Sequence, residues 1–135
     1  MIYLLDTNAV SDLMREHPQF LSRLAALQAA DSTIICPIVR GEILHGIERL
    51  PMGRRRTLIA EKASKAFGIL PCVPLNESIG DHYARMRAEC ESKGVAAHEN
   101  DLWIAAVSFQ IGAVLVTRDR DLTRIAGVQV EDWTL

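Results

Sequence analysis

Hydrophobic residues fall along this chain in two kinds of run: short and unbroken, or spaced three and four apart. The unbroken run Ile2-Tyr3-Leu4-Leu5, ending at Asp6, predicts a strand covered on both faces. A helix is predicted after Thr7-Asn8, with Val10, Leu13 and Met14 on one side, and a second over 19–29 with Phe20, Leu21, Leu24 and Leu27. Thr33 to Cys36 reads as the next strand. Pro37 then suits the first position of a helix, where its missing N–H costs nothing. That helix reaches about Leu50 on the stripe Val39, Ile43, Ile47 and Leu50. A basic helix over 54–67 and a short strand near Ile69–Val73 follow. Asn76 is a suitable N-cap for a long helix that Gly94 ends. A buried helix over 100–111, capped by Asn100, leads to a strand at Ala113–Thr117. A turn with a short helix and a last strand, Val128–Glu131, complete the pattern.

Strands alternating with helices predict an α/β fold of three layers around a mainly parallel sheet. The 135 residues suffice for one domain, 1–135, with its own core. No repeat, low-complexity tract or linker divides it. Leu102 to Val116 is fifteen residues without a charge, too short for a spanning helix and broken by Gln110 and Gly112. With no basic or cleavable leader at the N-terminus, the expectation is a cytoplasmic protein with no membrane association. Cys36, Cys72 and Cys90 lack any C-x-x-C pairing, which predicts small buried thiols in a reducing compartment.

The chemistry concentrates in four acids. Asp6 ends the first strand, Asp119 follows the fourth, Asp101 opens the buried helix, and Glu42 borders the stripe of the helix after strand two. In a parallel sheet, strand ends and following helix N-termini share the edge where such folds bind ligands. Taken singly, each acid has a structural explanation. Asp-Thr-Asn turns and caps a helix, Asp119 and Asp121 sit in a turn, Asp101 answers a helix dipole, and a buried ion pair would account for Glu42. Together they converge on one edge, where two carboxylates about 5 Å apart repel by roughly 3 kcal/mol at an effective dielectric near 20. A hard cation, Mg²⁺ or Mn²⁺, is the partner that oxygen-only ligands select, and such ions serve phosphodiester hydrolysis. Asn8 and Thr117 are candidates to orient the ligands.

Other chemistries fit poorly. Glu42-x-x-His45 has the spacing of a di-iron motif but no second pair. His17, His45, His82 and His98 lack zinc spacing, with His98 in a loop that could approach the cleft. Neither a glycine-rich phosphate loop nor a G-x-S-x-G elbow occurs. The net charge of −2 is unusual for a nucleic-acid binder, yet with the four acids set aside the remainder is net basic. Arg54-Arg55-Arg56, Arg85, Arg87, Arg118, Arg120 and Arg124 are then available for phosphates.

Three segments, LLDTNAVSDLMRE, RGEILHGIERLP and ENDLWIAAVSFQIGAVLVTRDRDLTRIAGVQVEDW, resemble the PIN-domain ribonucleases, and specifically the VapC-type toxins of type II toxin–antitoxin pairs. The resemblance implies an α/β/α sandwich and a Mg²⁺-dependent endoribonuclease leaving a 5′-phosphate and a 3′-hydroxyl. Residue by residue, Asp6, Glu42 and Asp101 match the family's first three acids, and Asp119 the more variable fourth. Asp121 is an optional neighbour outside the core site, and Leu122 stands where the family prefers Phe. Implied partners are structured RNA, a second copy in a homodimer, and a cognate VapB-type antitoxin whose C-terminal segment enters the acidic groove. Two rivals remain: a PIN-like 5′-nuclease acting on DNA, and a receiver-like signalling module. The first has little room for added DNA-gripping helices. The second lacks an Asp after the third strand and any lysine after Lys93.

Overall fold

The computed structural model describes all residues, 1–135. Four strands, β1 (Ile2–Leu5), β2 (Ser32–Ile34), β3 (Val114–Val116) and β4 (Gln129–Glu131), form one sheet in the order β2-β1-β3-β4. Every pairing is parallel, with Leu4 opposite Ile34 on one side and Leu115 on the other. Six helices surround it in an α/β/α sandwich: α1 (Thr7–Met14), α2 (Pro18–Ala25), α3 (Pro37–Glu48), α4 (Arg54–Ile69), α5 (Glu77–Lys93) and α6 (Glu99–Ile111). None is long and apolar enough to cross a membrane.

The two central strands, β1 and β3, are wholly apolar runs, each followed by a polar residue, whereas the flanking β2 and β4 carry polar residues. Leu4, Leu5, Leu115 and Val116 are almost fully buried, as both covered faces of the sheet require. The next residues, Asp6 and Thr117, are buried too, but they leave the sheet at its C-terminal edge. From β1 the chain steps outward to β2, then crosses back over β1 to reach β3. The strand order therefore reverses between β1 and β3, and the crevice for ligands opens outside their carboxyl ends.

Helix α6 carries no amphipathic stripe because it is enclosed on nearly every side. Leu102 and Ile104 through Ser108 are buried, and the one hydroxyl among them, on Ser108, donates to the Ala105 carbonyl at 2.7 Å. Such internal pairing is what makes a buried hydroxyl affordable. The helix packs along α5, while α1 packs against α3 and α4.

Local signals hold at several boundaries. The Asn76 side chain accepts the Ile79 N–H at 3.3 Å to cap α5, and Gly94 ends it at φ 67°. Others differ. The predicted strand at Ile69–Val73 is not one, since α4 continues through Ile69 and only Cys72 bridges to Ile35. Pro71 and Pro74 carry no N–H, so the ladder cannot extend in either direction. Helix α2 begins at Pro18 and stops at Ala25, shorter than the 19–29 read from its leucines. Helix α6 begins one residue early, capped by His98 rather than Asn100. Cys36 and Cys90 are buried free thiols, as expected, whereas Cys72 is exposed.

Candidate active site

Asp6 terminates β1 and caps α1 at once. Its backbone N–H donates to the Val116 carbonyl at 3.1 Å, extending the β1–β3 ladder by one residue. Its Oδ1 accepts the Ala9 N–H at 2.8 Å. The carboxylate is only 4% exposed, and burial pushes its pKa from 3.8 up to about 6. The Thr117 hydroxyl, the Ala9 N–H and Arg118 pull the other way, while Asp101 adds its repulsion.

Thr117 is shared. It sits beside Asp6 and accepts the Asp119 backbone N–H on Oγ1 at 3.0 Å, so the loop after β3 is tied to the first acid. Asp119 in turn accepts the Asp121 N–H at 2.9 Å and caps the 3₁₀ turn Arg120–Arg124. Asp121 is exposed and contributes that backbone N–H, which places its carboxylate outside the cluster.

Glu42 approaches from α3 and is held from two other elements. Thr7 of α1 donates its hydroxyl to Oε1 at 2.5 Å, and Asn100 of α6 donates its amide to Oε2 at 3.3 Å. Asp101, one residue on, is half-buried in the first turn of α6. Burial raises its pKa first, then the charges of Asp119 and Glu42, with His98 opposing. The four acids thus lie within one another's fields at a single sheet edge.

Whether these residues suit a divalent cation is a question of charge and donor type. The donors are all carboxylate oxygens, the set that hard cations prefer. Burial raises the pKa of both Asp6 and Asp101, and neighbouring acids raise each further, so a cation's charge would stabilise both carboxylates. Arg118, whose charge reaches Asp6, is ion-paired with another acid: its Nε lies 3.4 Å from Oδ2 of the buried Asp12. No three acid, histidine or cysteine side chains already converge on a common ion position. Glu42 is clasped by Thr7 and Asn100, and Asp6 is committed to its cap, so the cluster fits a cation in chemistry without being closed upon one.

Two of the clasping groups escaped the sequence. Thr7, not Asn8, reaches an acid; Asn8 is exposed. Asn100 serves Glu42 rather than the helix cap. His98 takes that duty, its Nδ1 accepting the Asn100 N–H at 3.2 Å.

The PIN domain family model matches residues 3–128. The chain is a PIN-domain protein. Ribonuclease VapC1 of Haemophilus influenzae strain R2866 is 30% identical over 136 residues, covering 99% of each chain. Ribonuclease VapC2 of Rickettsia felis is 29% identical over 135 residues, with 98% of each chain covered. Among solved structures, VapBC2 from Rickettsia felis, bound to a DNA fragment from its promoter, superposes with a TM-score of 0.88 at 27% identity. It covers 98% of this chain and 99% of that one. The likeness runs the whole length of this PIN domain and places it in the VapC group.

Proposed function

We propose that this PIN domain is the endoribonuclease toxin of a toxin–antitoxin pair, cutting structured RNA with the help of Mg²⁺. The observation that carries the reading is the meeting of Asp6, Glu42, Asp101 and Asp119 at the one sheet edge where the strand order reverses. A ligand-binding crevice lined by uncompensated carboxylates suits the hydrolysis of a phosphodiester better than any chemistry relying on a protein nucleophile.

Asp6, Glu42, Asp101 and Asp119 would hold the ion, with Mn²⁺ as a substitute. Once bound, it supplies a water of lowered pKa and neutralises charge building on the phosphate. The chain's own groups do the positioning. Thr7 and Asn100 fix both oxygens of Glu42. The Ala9 N–H fixes Oδ1 of Asp6, and the Thr117 hydroxyl bonds the same carboxylate. Thr117 couples Asp6 to the Asp119 loop. Such supporting bonds hold ligands in one geometry, so chemistry need not wait for them to order.

A VapB-type antitoxin is the partner we assign to this domain, since the structures it resembles include VapBC complexes. An arginine from that partner would neutralise the same acids and silence the site. A homodimer in the cytoplasm, with two acidic sites along one groove, completes the proposal.

The test is cleavage of end-labelled structured RNA by purified protein in Mg²⁺, Mn²⁺ or EDTA, with Asp6→Asn in parallel. Cutting that needs metal and Asp6 supports the reading. Metal-independent cutting, or cutting retained by Asp6→Asn, would overturn it.

A further inference from the structure

A polar groove of about 510 Å³ opens beside Glu42, running along α3. Glu42, His45, Gly46 and Arg49 line it at helical spacings of three, four and seven, so they share one face. Thr7 and Asn100 close the end nearest the acids. Arg49 stands about 10 Å along the axis from Glu42, at 1.5 Å per residue.

Two features of this face take no part in side-chain pairing or packing, though its basic residues lie at the C-terminal end of α3, where the helix dipole favours positive charge. The Arg49 guanidinium and the His45 ring make no hydrogen bond or ion pair within the chain, whereas Arg56 nearby is tied to Glu48 and to the Leu50 carbonyl. Gly41 and Gly46 also lack a packing reason, for nothing lies within 4 Å of where a Cβ would stand on either. Glycine inside a helix is less stable than alanine. Bare backbone there keeps the groove floor open for something to approach closely.

We infer that the groove seats the sugar–phosphate chain of the RNA leading away from the scissile bond, with Arg49 and His45 as positioning residues for its phosphates. The inference rests on the nuclease reading above. Charge favours it, because the groove runs from the acid cluster to free donors, matching an anionic chain whose reacting phosphate lies at the acid end. Spacing agrees: at about 3.4 Å per stacked nucleotide, Arg49 stands roughly three nucleotides out. A neutral imidazole still offers one N–H, so His45 can donate to a nearer phosphate. Phosphate contacts fix register and carry no sequence information, so any RNA hairpin should report them.

The experiment follows binding of a fluorescein-labelled RNA stem-loop to the full chain carrying Asp6→Asn, as salt is raised. Adding Arg49→Ala should weaken binding several-fold and reduce the slope of log affinity against log salt by about 0.7–0.9, one phosphate contact. Arg49→Lys should restore the slope. Gly46→Leu should obstruct the groove and weaken binding while the melting temperature holds, which separates a blocked site from a damaged fold. In protein with Asp6 intact, Arg49→Ala should raise KM more than it lowers kcat. An unchanged salt slope in Arg49→Ala, or full RNA affinity in Gly46→Leu, overturns the inference while cleavage by the unsubstituted protein keeps the nuclease reading standing. If Gly46→Leu loses antitoxin capture and keeps RNA affinity, the groove belongs to a protein partner and the inference falls as well. Absence of metal-dependent cutting by the unsubstituted protein would instead remove the reading on which it rests.

Discussion

Asp6→Asn should abolish cleavage and at the same time make the protein more stable near neutral pH. The Asp6 carboxyl is held at about 6 against an ordinary 3.8, chiefly because burial strips its hydration. That gap is worth roughly 3 kcal/mol. Between the two values the folded protein keeps a proton that the unfolded chain has lost. The contribution of Asp6 to stability is therefore fully present below about pH 4, is lost as pH rises toward 6, and stays lost above it. Asparagine cannot ionise, and its amide oxygen can still accept the Ala9 N–H. Its NH₂ needs partners of its own, so the gain at neutral pH should be about 1–3 kcal/mol. For a chain of this size that is a rise of about 3–10 °C in melting temperature.

Thermal melts of both proteins across this range provide the assay. The two curves should coincide near pH 4 and separate through the window, with the variant higher. Mg²⁺ added near neutral pH should raise the melting temperature of the unsubstituted protein and leave the variant almost unmoved, since a ligand stabilises only the form that binds it. A variant less stable than the parent at neutral pH, or a gap that does not widen with pH, would refute the reasoning. It would mean that the fold already neutralises Asp6, and the electrostatic ground for a cation site would be gone.

Thr7→Val removes the donor to Glu42 Oε1 and should slow single-turnover cleavage roughly 10- to 100-fold with little change in stability. An unaltered rate would show that Asn100 alone orients Glu42. Arg118→Ala strips the ion-pair partner from Oδ2 of Asp12, a carboxylate 2% exposed whose other oxygen keeps Arg15. Because the Arg118 side chain is itself 44% exposed, the cost should be about 1–3 kcal/mol, below that of breaking a fully buried pair. Urea unfolding measures it, and a loss under about 0.5 kcal/mol would contradict the assignment. Gly127 has φ 83°, and a Cβ there would stand 2.6 Å from Cε2 of Phe109. Gly127→Ala should therefore lower stability by about 1–3 kcal/mol. Gly46→Ala, with open space around it, should raise stability by roughly 0.5–1 kcal/mol in the same assay.

What could be read in the sequence and what could not divides along the distance over which each feature is determined. Leu4, Leu5, Leu115 and Val116 announce buried parallel strands because an unbroken apolar run is a local property. Asp6 and Asp119 are legible for the same reason, each being a polar residue that ends or follows such a run. Glu42 shows itself by bordering a helical stripe. The failures begin where side chains from different elements decide. At Ile69–Val73 the local hydrophobicity points to a strand, but with two prolines there only Cys72 pairs, in a single bridge to Ile35 just past β2. At the start of α6, composition favours Asn100 as the cap, while Glu42, 58 residues earlier, claims its amide and leaves His98 to cap the helix. Thr7 finds its acid across 35 residues, a relation that no periodicity encodes.

Asp6 shows why the ordinary explanation of such a residue does not compete with the functional one. Its Oδ1 caps α1, as an Asp after a strand commonly does, and the cap anchors a carboxylate that burial and Asp101 both keep from ionising easily. A cap alone would not need this one. An exposed Asp, Ser or Asn satisfies the same N–H without a penalty of roughly 3 kcal/mol above pH 6. The burial is therefore the informative part. It places a carboxylate where its charge is destabilising, beside Asp101, whose pKa burial and two further acids raise in the same direction. The cap fixes where that charge stands, and the cation proposed above would offset its cost.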